Sequence, residues 1–213
     1  MKRVLLLSLF VLLATIGVQA QIPSEVKEVM TKCQKAMNNP NGLEYTMNMK
    51  LSMGPISLTN SKLTIASKGE MNRTLMTMSV AGIEATFESG YDGKESWEVK
   101  HSEKQDTIRI TKGKKNESDD ALDFDMAKGF KKAKMKLKDG YYEIEYYDPI
   151  DKKSEMKKIT FVVSAKNYYL HELRTSAKGA KVTMTITKIR VGLRDDYFKF
   201  NPSKYPNAVV VRE

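Results

Sequence analysis

Cysteine, histidine and tryptophan are scarce in this 213-residue chain, which holds one Cys, two His, one Trp and only six Pro. A single cysteine, Cys33, excludes an internal disulfide. The two histidines, His101 and His171, lie far apart in sequence, each near a Glu. Neither has the spacing of a helix-borne zinc pair. There is no Gly-x-Ser-x-Gly elbow, no phosphate-cradling glycine loop and no Cys–His arrangement. Carboxylates distant in sequence can converge in a fold, so acids alone decide nothing. With no constellation of reactive groups, the expectation is a protein that is not an enzyme and needs no cofactor or metal. Beyond residue 20, no apolar run is long enough to span a bilayer.

The first twenty residues are unlike the rest. A basic "MKR" precedes the apolar run "VLLLSLFVLLATIGV", and Val18-Gln19-Ala20 places small residues at −3 and −1 before Gln21. That layout predicts a secretory signal peptide cleaved after Ala20, with 21–213 as one domain. No cysteine stands at the cleavage point, so the mature chain is not expected to be lipid-anchored. The net charge is +10, and losing Lys2 and Arg3 leaves +8. An exported basic protein meets little nucleic acid. Its charge suits anionic membrane surfaces or acidic partners, or serves solubility alone.

The mature chain opens with "SEVKEVMTKCQKAMN" (24–38). Val26, Val29, Met30, Cys33 and Met37 recur at helical spacing, with Ser24 as a candidate N-cap and Asn38-Asn39-Pro40-Asn41-Gly42 as the stop. Cys33 on that apolar stripe reads as a buried small hydrophobe. "LEYTMNMKLSM" (43–53) then alternates strictly. Leu43, Tyr45, Met47, Met49, Leu51 and Met53 share one face, and polar residues the other. Further strand patterns follow at 56–68, 71–80, 83–91, 94–99, 107–112, 131–138, 141–147, 158–163, 168–175 and 180–191. Gly-containing turns separate many of them, with Asp92-Gly93 and Asp139-Gly140 as hairpin pairs. In the last strand the apolar face slips by one after Ile186, which predicts a bulge near Lys188.

About eleven strands joined by short turns predict a mainly β protein. Its antiparallel sheet must curl, split or close, and one helix plus a short candidate at 118–128 cannot cover it fully. The acids Asp119, Asp120, Asp123 and Asp125 lack the loop glycine and closing Glu of an EF-hand, and instead fit the first turn of a short helix capped by Ser118, with Leu122 and Met126 inward. Lys132, Lys134, Lys136 and Lys138 alternate along one strand. They fit a solvated or edge-protecting row better than a surface for anionic headgroups or an acidic partner.

Three stretches carry a family signal. "YDGKESWEV" (91–99) resembles the Asp-Gly-Lys-x-x-Trp segment of the periplasmic LolA-like lipoprotein carriers. "LHELRTSAKGAKVTMTITKIRVG" (170–192) and the Phe198-Lys199-Phe200-Asn201-Pro202 signature with its apolar tail are similar to that family's ending. The resemblance implies a half-open antiparallel barrel with the helices as a lid over an apolar cavity. It further implies a monomeric periplasmic carrier of lipoprotein acyl chains, loaded by an inner-membrane releasing complex and received at the outer membrane after transient membrane contact. The positions expected to line the cavity are Tyr45, Met47, Met49, Leu51, Met53, Met76, Met78, Trp97, Phe161, Met184 and Ile186. Arg73 is matched to the family's lid-latching arginine, although its Arg-Pro and Phe-Arg-Trp context is missing here. Methionine suits a wall that accepts acyl chains of differing shape, and it is equally an ordinary gap-filler beneath a helix. Two other readings stay open: a lipid-binding sensor on the same fold, and a structural or interaction protein with a filled barrel.

Overall fold

The computed structural model describes residues 22–80, 83–101, 105–113, 122, 124–177 and 179–213. The expected signal peptide, Ser118 and the acids 119, 120 and 123 lie outside these. Helix α1 spans Ser24–Met37, bounded by Pro23 rather than capped by the Ser24 side chain. Val26, Val29, Cys33 and Met37 are its buried stripe, and Glu28 bonds Lys32 one turn on at 2.7 Å. Gly42 ends the connection with φ +86°, and a Cβ there would lie 2.8 Å from that of Leu193. Only glycine meets both demands.

Twelve strands follow: β1 Leu43–Met53, β2 Ile56–Lys68, β3 Met71–Val80, β4 Ile83–Tyr91, β5 Glu95–Lys100, β6 Thr107–Lys112, β7 Phe130–Lys138, β8 Tyr141–Pro149, β9 Lys158–Ser164, β10 Leu170–Ala177, β11 Ala180–Val191 and β12 Val209–Arg212. They form one sheet in the order β12-β6-β5-β4-β3-β2-β1-β11-β10-β9-β8-β7. β7 and β12 do not meet, so the barrel is half open. Eleven strands agree with the alternation of the sequence. The twelfth was not foreseen: it returns from a long C-terminal segment and pairs parallel with β6, Val209 beside Thr107 and Arg212 beside Ile110.

Two local features have clear causes. The β1–β11 register shifts between Thr46 and Met47, which face Lys188 and Ile186, so Thr187 is the extra residue of a bulge where the apolar face slipped. The short helix expected at 118–128 is a 3-10 helix at Phe124–Gly129. Its Met126, like Leu122 before it, packs against the main core.

That core is where α1 meets the sheet. Val26, Val29, Cys33 and Met37 pack with Tyr45, Met47, Ile65, Phe161, Leu173 and Ile186, and Phe124 stacks on Phe161 at 5.9 Å. The face carrying α1 is called inner below. Its strand residues in this core come from β1, β2 and β7 to β11. A helix of 14 residues spans only about 21 Å, whereas twelve strands spread over roughly 55 Å. The helix therefore covers only part of the inner face.

Candidate functional site

Along β1 the burial of the apolar face falls off stepwise. Met47 is fully buried and Tyr45 nearly so, Met49 and Leu51 are half-buried, and Met53 is 51% exposed. The neighbours across the sheet continue the same face. One row runs from Ile186 through Met47 and Leu63 to Met76 and Phe87. The next runs from Phe161 through Leu173, Met184 and Met49, past Ser61, to Met78. Tyr45, Met47, Phe161 and Ile186 thus belong to the core under α1, with Met30 and Met184 at its margin. Met76 and Met78 share the inner face but stand half-buried outside that core. The alternating pattern located the face; how far one helix reaches over it decided which methionines are covered.

Trp97 sits elsewhere. Its cross-strand partners are Gly90 and Ile110, and its row passes through Arg73 and Ala66 to Glu44, all on the outer face. Trp97, Val99, Ile108 and Ile110 form a second apolar cluster under the C-terminal segment, against Phe200, Tyr205 and Ala208. The Phe-x-Phe-x-Pro signature supplies that cover. Phe198 is fully buried, its carbonyl accepts from Trp97 Nε1 at 3.1 Å, and Phe200 packs on the indole at 5.6 Å.

Arg73 lies on this outer face too. Its Nε donates to Glu88 Oε1 at 3.0 Å, a second guanidinium nitrogen bonds the same oxygen, and a third donates to the Tyr197 carbonyl at 3.1 Å. The guanidinium is flanked by the rings of Trp97 and Tyr197 at 5.7 and 5.0 Å. In this structure its bonds therefore tie down the C-terminal segment, on the side away from α1. Glu88 accepts a further bond from the Tyr205 hydroxyl, while Glu44 accepts from Tyr197 and Arg190. Burial, then the bond to Glu88, pushes the Tyr205 hydroxyl well above its usual range, and burial, then the bond to Glu44, raises that of Tyr197. Sequence reasoning missed Glu44 and Glu88. They occupy alternating polar positions that read as solvent-facing, and only the returning tail buries them.

The lysine row of β7 is paired across the outer face. Lys134 bonds Glu145 at 2.9 Å, Lys136 bonds Glu143 at 2.7 Å, and Lys158 reaches Glu145 at 3.3 Å. The bonds from Lys136 and Lys134 hold the Glu143 and Glu145 carboxyls below their ordinary range. With Arg174 and Lys181 these groups border a polar cleft of about 600 Å³. Among the described residues no cluster of three or more His, Cys, Asp or Glu could hold a metal ion. Burial pushes the Cys33 thiol up to about 12, so it is neutral and unreactive at neutral pH. No helix among the described residues is long and apolar enough to cross a membrane.

No protein-family model and no curated protein matches the sequence. Solved structures do match in fold. An uncharacterized conserved protein from Thermus thermophilus superposes with a TM-score of 0.52 at 9% identity, over 89% of this chain and 100% of that one. Mycobacterium tuberculosis lipoprotein LppX gives 0.52 at 8% identity, over 81% and 98%. A LolA superfamily protein from Nitrosomonas europaea also matches, at 10% identity over 82% and 97%, with a TM-score of 0.40. At these identities the likeness is one of fold alone; in this chain that fold is one unclosed antiparallel β-sheet with a helix packed on its inner face.

Proposed function

We propose that this protein is an exported periplasmic carrier that shelters lipoprotein acyl chains on the inner face of its half-barrel and delivers them to the outer membrane. The observation that carries the reading is the apolar inner face running on beyond α1, where Met49, Met76 and Met78 stand half-buried. Methionine is unbranched and polarizable, so such a wall adapts to chains of differing shape. Each buried methylene contributes about 0.8 kcal/mol, so two or three acyl chains bind strongly without a polar network. Loading would then shift α1, which meets the sheet through the apolar side chains of Val26, Val29, Cys33 and Met37 and reaches the Tyr168 hydroxyl from Lys32 at 3.5 Å. An inner-membrane releasing complex and an outer-membrane receptor are the partners this role calls for.

One observation favours a different reading. Met47 is fully buried beneath α1, as in a filled barrel that needs no ligand. Fluorescence of bis-ANS with the mature protein, titrated with a triacylated lipoprotein and its unacylated form, separates the two. Displacement by the acylated form alone, weakened by Met49→Asp, supports the carrier. No dye uptake and no association would leave the filled barrel.

A further inference from the structure

The inner face of β3, β4 and β5 lies outside the α1 core, and it is not uniformly apolar. Towards the β3–β4 turn it presents Met76, Met78 and Phe87. Towards the opposite end it presents Asn72, Thr74, Ser89, Tyr91, Ser96 and Glu98, adjacent by register: Asn72 faces Tyr91, Tyr91 faces Ser96, Thr74 faces Ser89, and Ser89 faces Glu98. Three of these are deeply buried. Ser89 is 1% exposed, Ser96 3% and Asn72 5%. Yet both amide atoms of Asn72 and both serine hydroxyls have no hydrogen-bond partner among the described residues.

Buried polar side chains in folded proteins are almost always bonded, because leaving them unmatched forfeits their hydration. Four orphaned atoms on one patch of a sheet are therefore a concentrated cost. It is explained if the patch exists to bond something else. The backbones of Asn72 and Ser96 are two strands apart, about 10 Å, with Tyr91 directly between them and Ser89 one row away, two residues along β4. That is the size of a glyceryl ester head rather than of a single atom. The groups offered are neutral: an amide that donates and accepts, and two hydroxyls that do either. The charge sharing their row is Glu98, and its neighbour across β6, Arg109, is ion-paired with Glu213 at 3.2 Å. A free carboxylate bonded to these three groups would be desolvated beside Glu98, the charge next to Ser89, whereas Lys100 stands further along the same face of β5, opposite Phe87. Ester carbonyls and hydroxyls carry no charge for Glu98 to repel.

We infer that Asn72, Ser89 and Ser96 form a polar subsite for the neutral ester and hydroxyl groups of an acylglycerol, with the acyl chain running over Phe87, Met76 and Met78 towards the β3–β4 turn. This rests on the acyl-binding reading and adds to it a ligand class and an orientation. The chemistry is shared by a free glycerolipid and by the diacylglyceryl cysteine of a lipoprotein.

The test compares 1-monooleoylglycerol, oleate and a synthetic S-diacylglyceryl-cysteine peptide on the mature protein and on the variant N72L/S89A/S96A. The replacements remove the orphaned atoms; Leu keeps the branched shape of Asn, and Ala drops only the hydroxyl oxygen of each Ser. The expected result has two parts. The variant loses about tenfold or more in affinity for monooleoylglycerol while its oleate affinity stays within about twofold, the size expected for lost hydrogen bonds. Its urea midpoint also rises, because unmatched buried groups have gone. An equal loss for the lipopeptide identifies the lipoprotein as a source, and no lipopeptide binding identifies a free glycerolipid; both sustain the subsite. Unchanged monooleoylglycerol affinity, or a fall in urea midpoint, overturns it, because the atoms are then served by internal water. Should the triple variant not fold, Ser89→Ala alone is read the same way. If the wild type binds neither lipid nor bis-ANS, the acyl-binding reading itself has failed.

Discussion

Trp97 and Phe198, 101 residues apart, are joined by the indole N–H donating to the Phe198 carbonyl at 3.1 Å. The indole can sit there only because residue 90, directly opposite on β4, has no side chain: a Cβ on Gly90 would lie 2.6 Å from Trp97 Cζ2 and 2.9 Å from the Asn72 carbonyl. One methyl group would push the ring off the tail it holds. Gly90→Ala is expected to destabilise the protein by about 1–3 kcal/mol, the usual cost of overpacking. Urea denaturation followed by Trp97 fluorescence measures it, and wild-type stability would refute the close contact.

The same tail is clamped by charge. Arg73 and Glu88 are largely buried, with 15% and 7% of their side chains exposed. Removing one partner leaves the other charge unmatched beneath the C-terminal segment. Glu88→Ala should therefore cost about 3 kcal/mol or more, against about 1 kcal/mol for Tyr205→Phe, which removes one bond to Glu88. Denaturation midpoints of the two variants should fall in that order.

The stepwise burial along β1 separates packing from binding. Met47→Ala opens a hole under α1 and should cost about 2–5 kcal/mol. Met76→Ser, on the half-buried stretch beyond the helix, should leave stability within about 1 kcal/mol of wild type and weaken acyl-chain binding instead. Equal stability losses at both positions would mean that the inner face is core throughout.

Cys33 reports on α1. Its thiol is fully buried and pushed up to about 12 by that burial. At pH 8 it should resist a thiol-specific reagent in the folded apo protein and react fully in urea. If acyl loading lifts the helix, saturating lipopeptide should speed native-state labelling several-fold. Unchanged labelling with bound lipopeptide would place the ligand without moving α1.

The lysine row of β7 gives a pH dependence. Bonds from Lys136 and Lys134 lower the folded-state values of Glu143 and Glu145 relative to the unfolded chain. Their contribution is present above the unfolded glutamate value of about 4.3 and is lost as pH falls through the lower folded values. The urea midpoint should drop below about pH 5 less steeply in a Glu143→Gln/Glu145→Gln variant than in wild type. High salt should weaken the difference, since these pairs are open to solvent.

Much of this molecule was legible in its sequence because the relevant physics is local. Period-two alternation placed eleven strands, the glycine turns divided them, and the slip after Ile186 announced the bulge at Thr187. The stripe of Val26, Val29, Cys33 and Met37 announced a helix with one face to bury. What the tertiary structure alone decided concerns which face of the sheet meets what. Trp97 and Met76 both alternate correctly, yet an odd or even position says only that a side chain shares a face with its neighbours two away. It does not say which face the helix will choose. The returning C-terminal segment claimed the face of Trp97, Arg73 and Glu88, turning residues that read as solvated or cavity-lining into the floor under a strap. The length of α1 left the inner face of β3 to β5 outside its cover, where the side-chain polar atoms of Asn72, Ser89 and Ser96 lie buried without hydrogen-bond partners among the described residues. Sequence determined the elements and their two-sidedness, through backbone geometry and side-chain polarity. Long-range packing, settled only when segments more than a hundred residues apart meet, decided what each side is for.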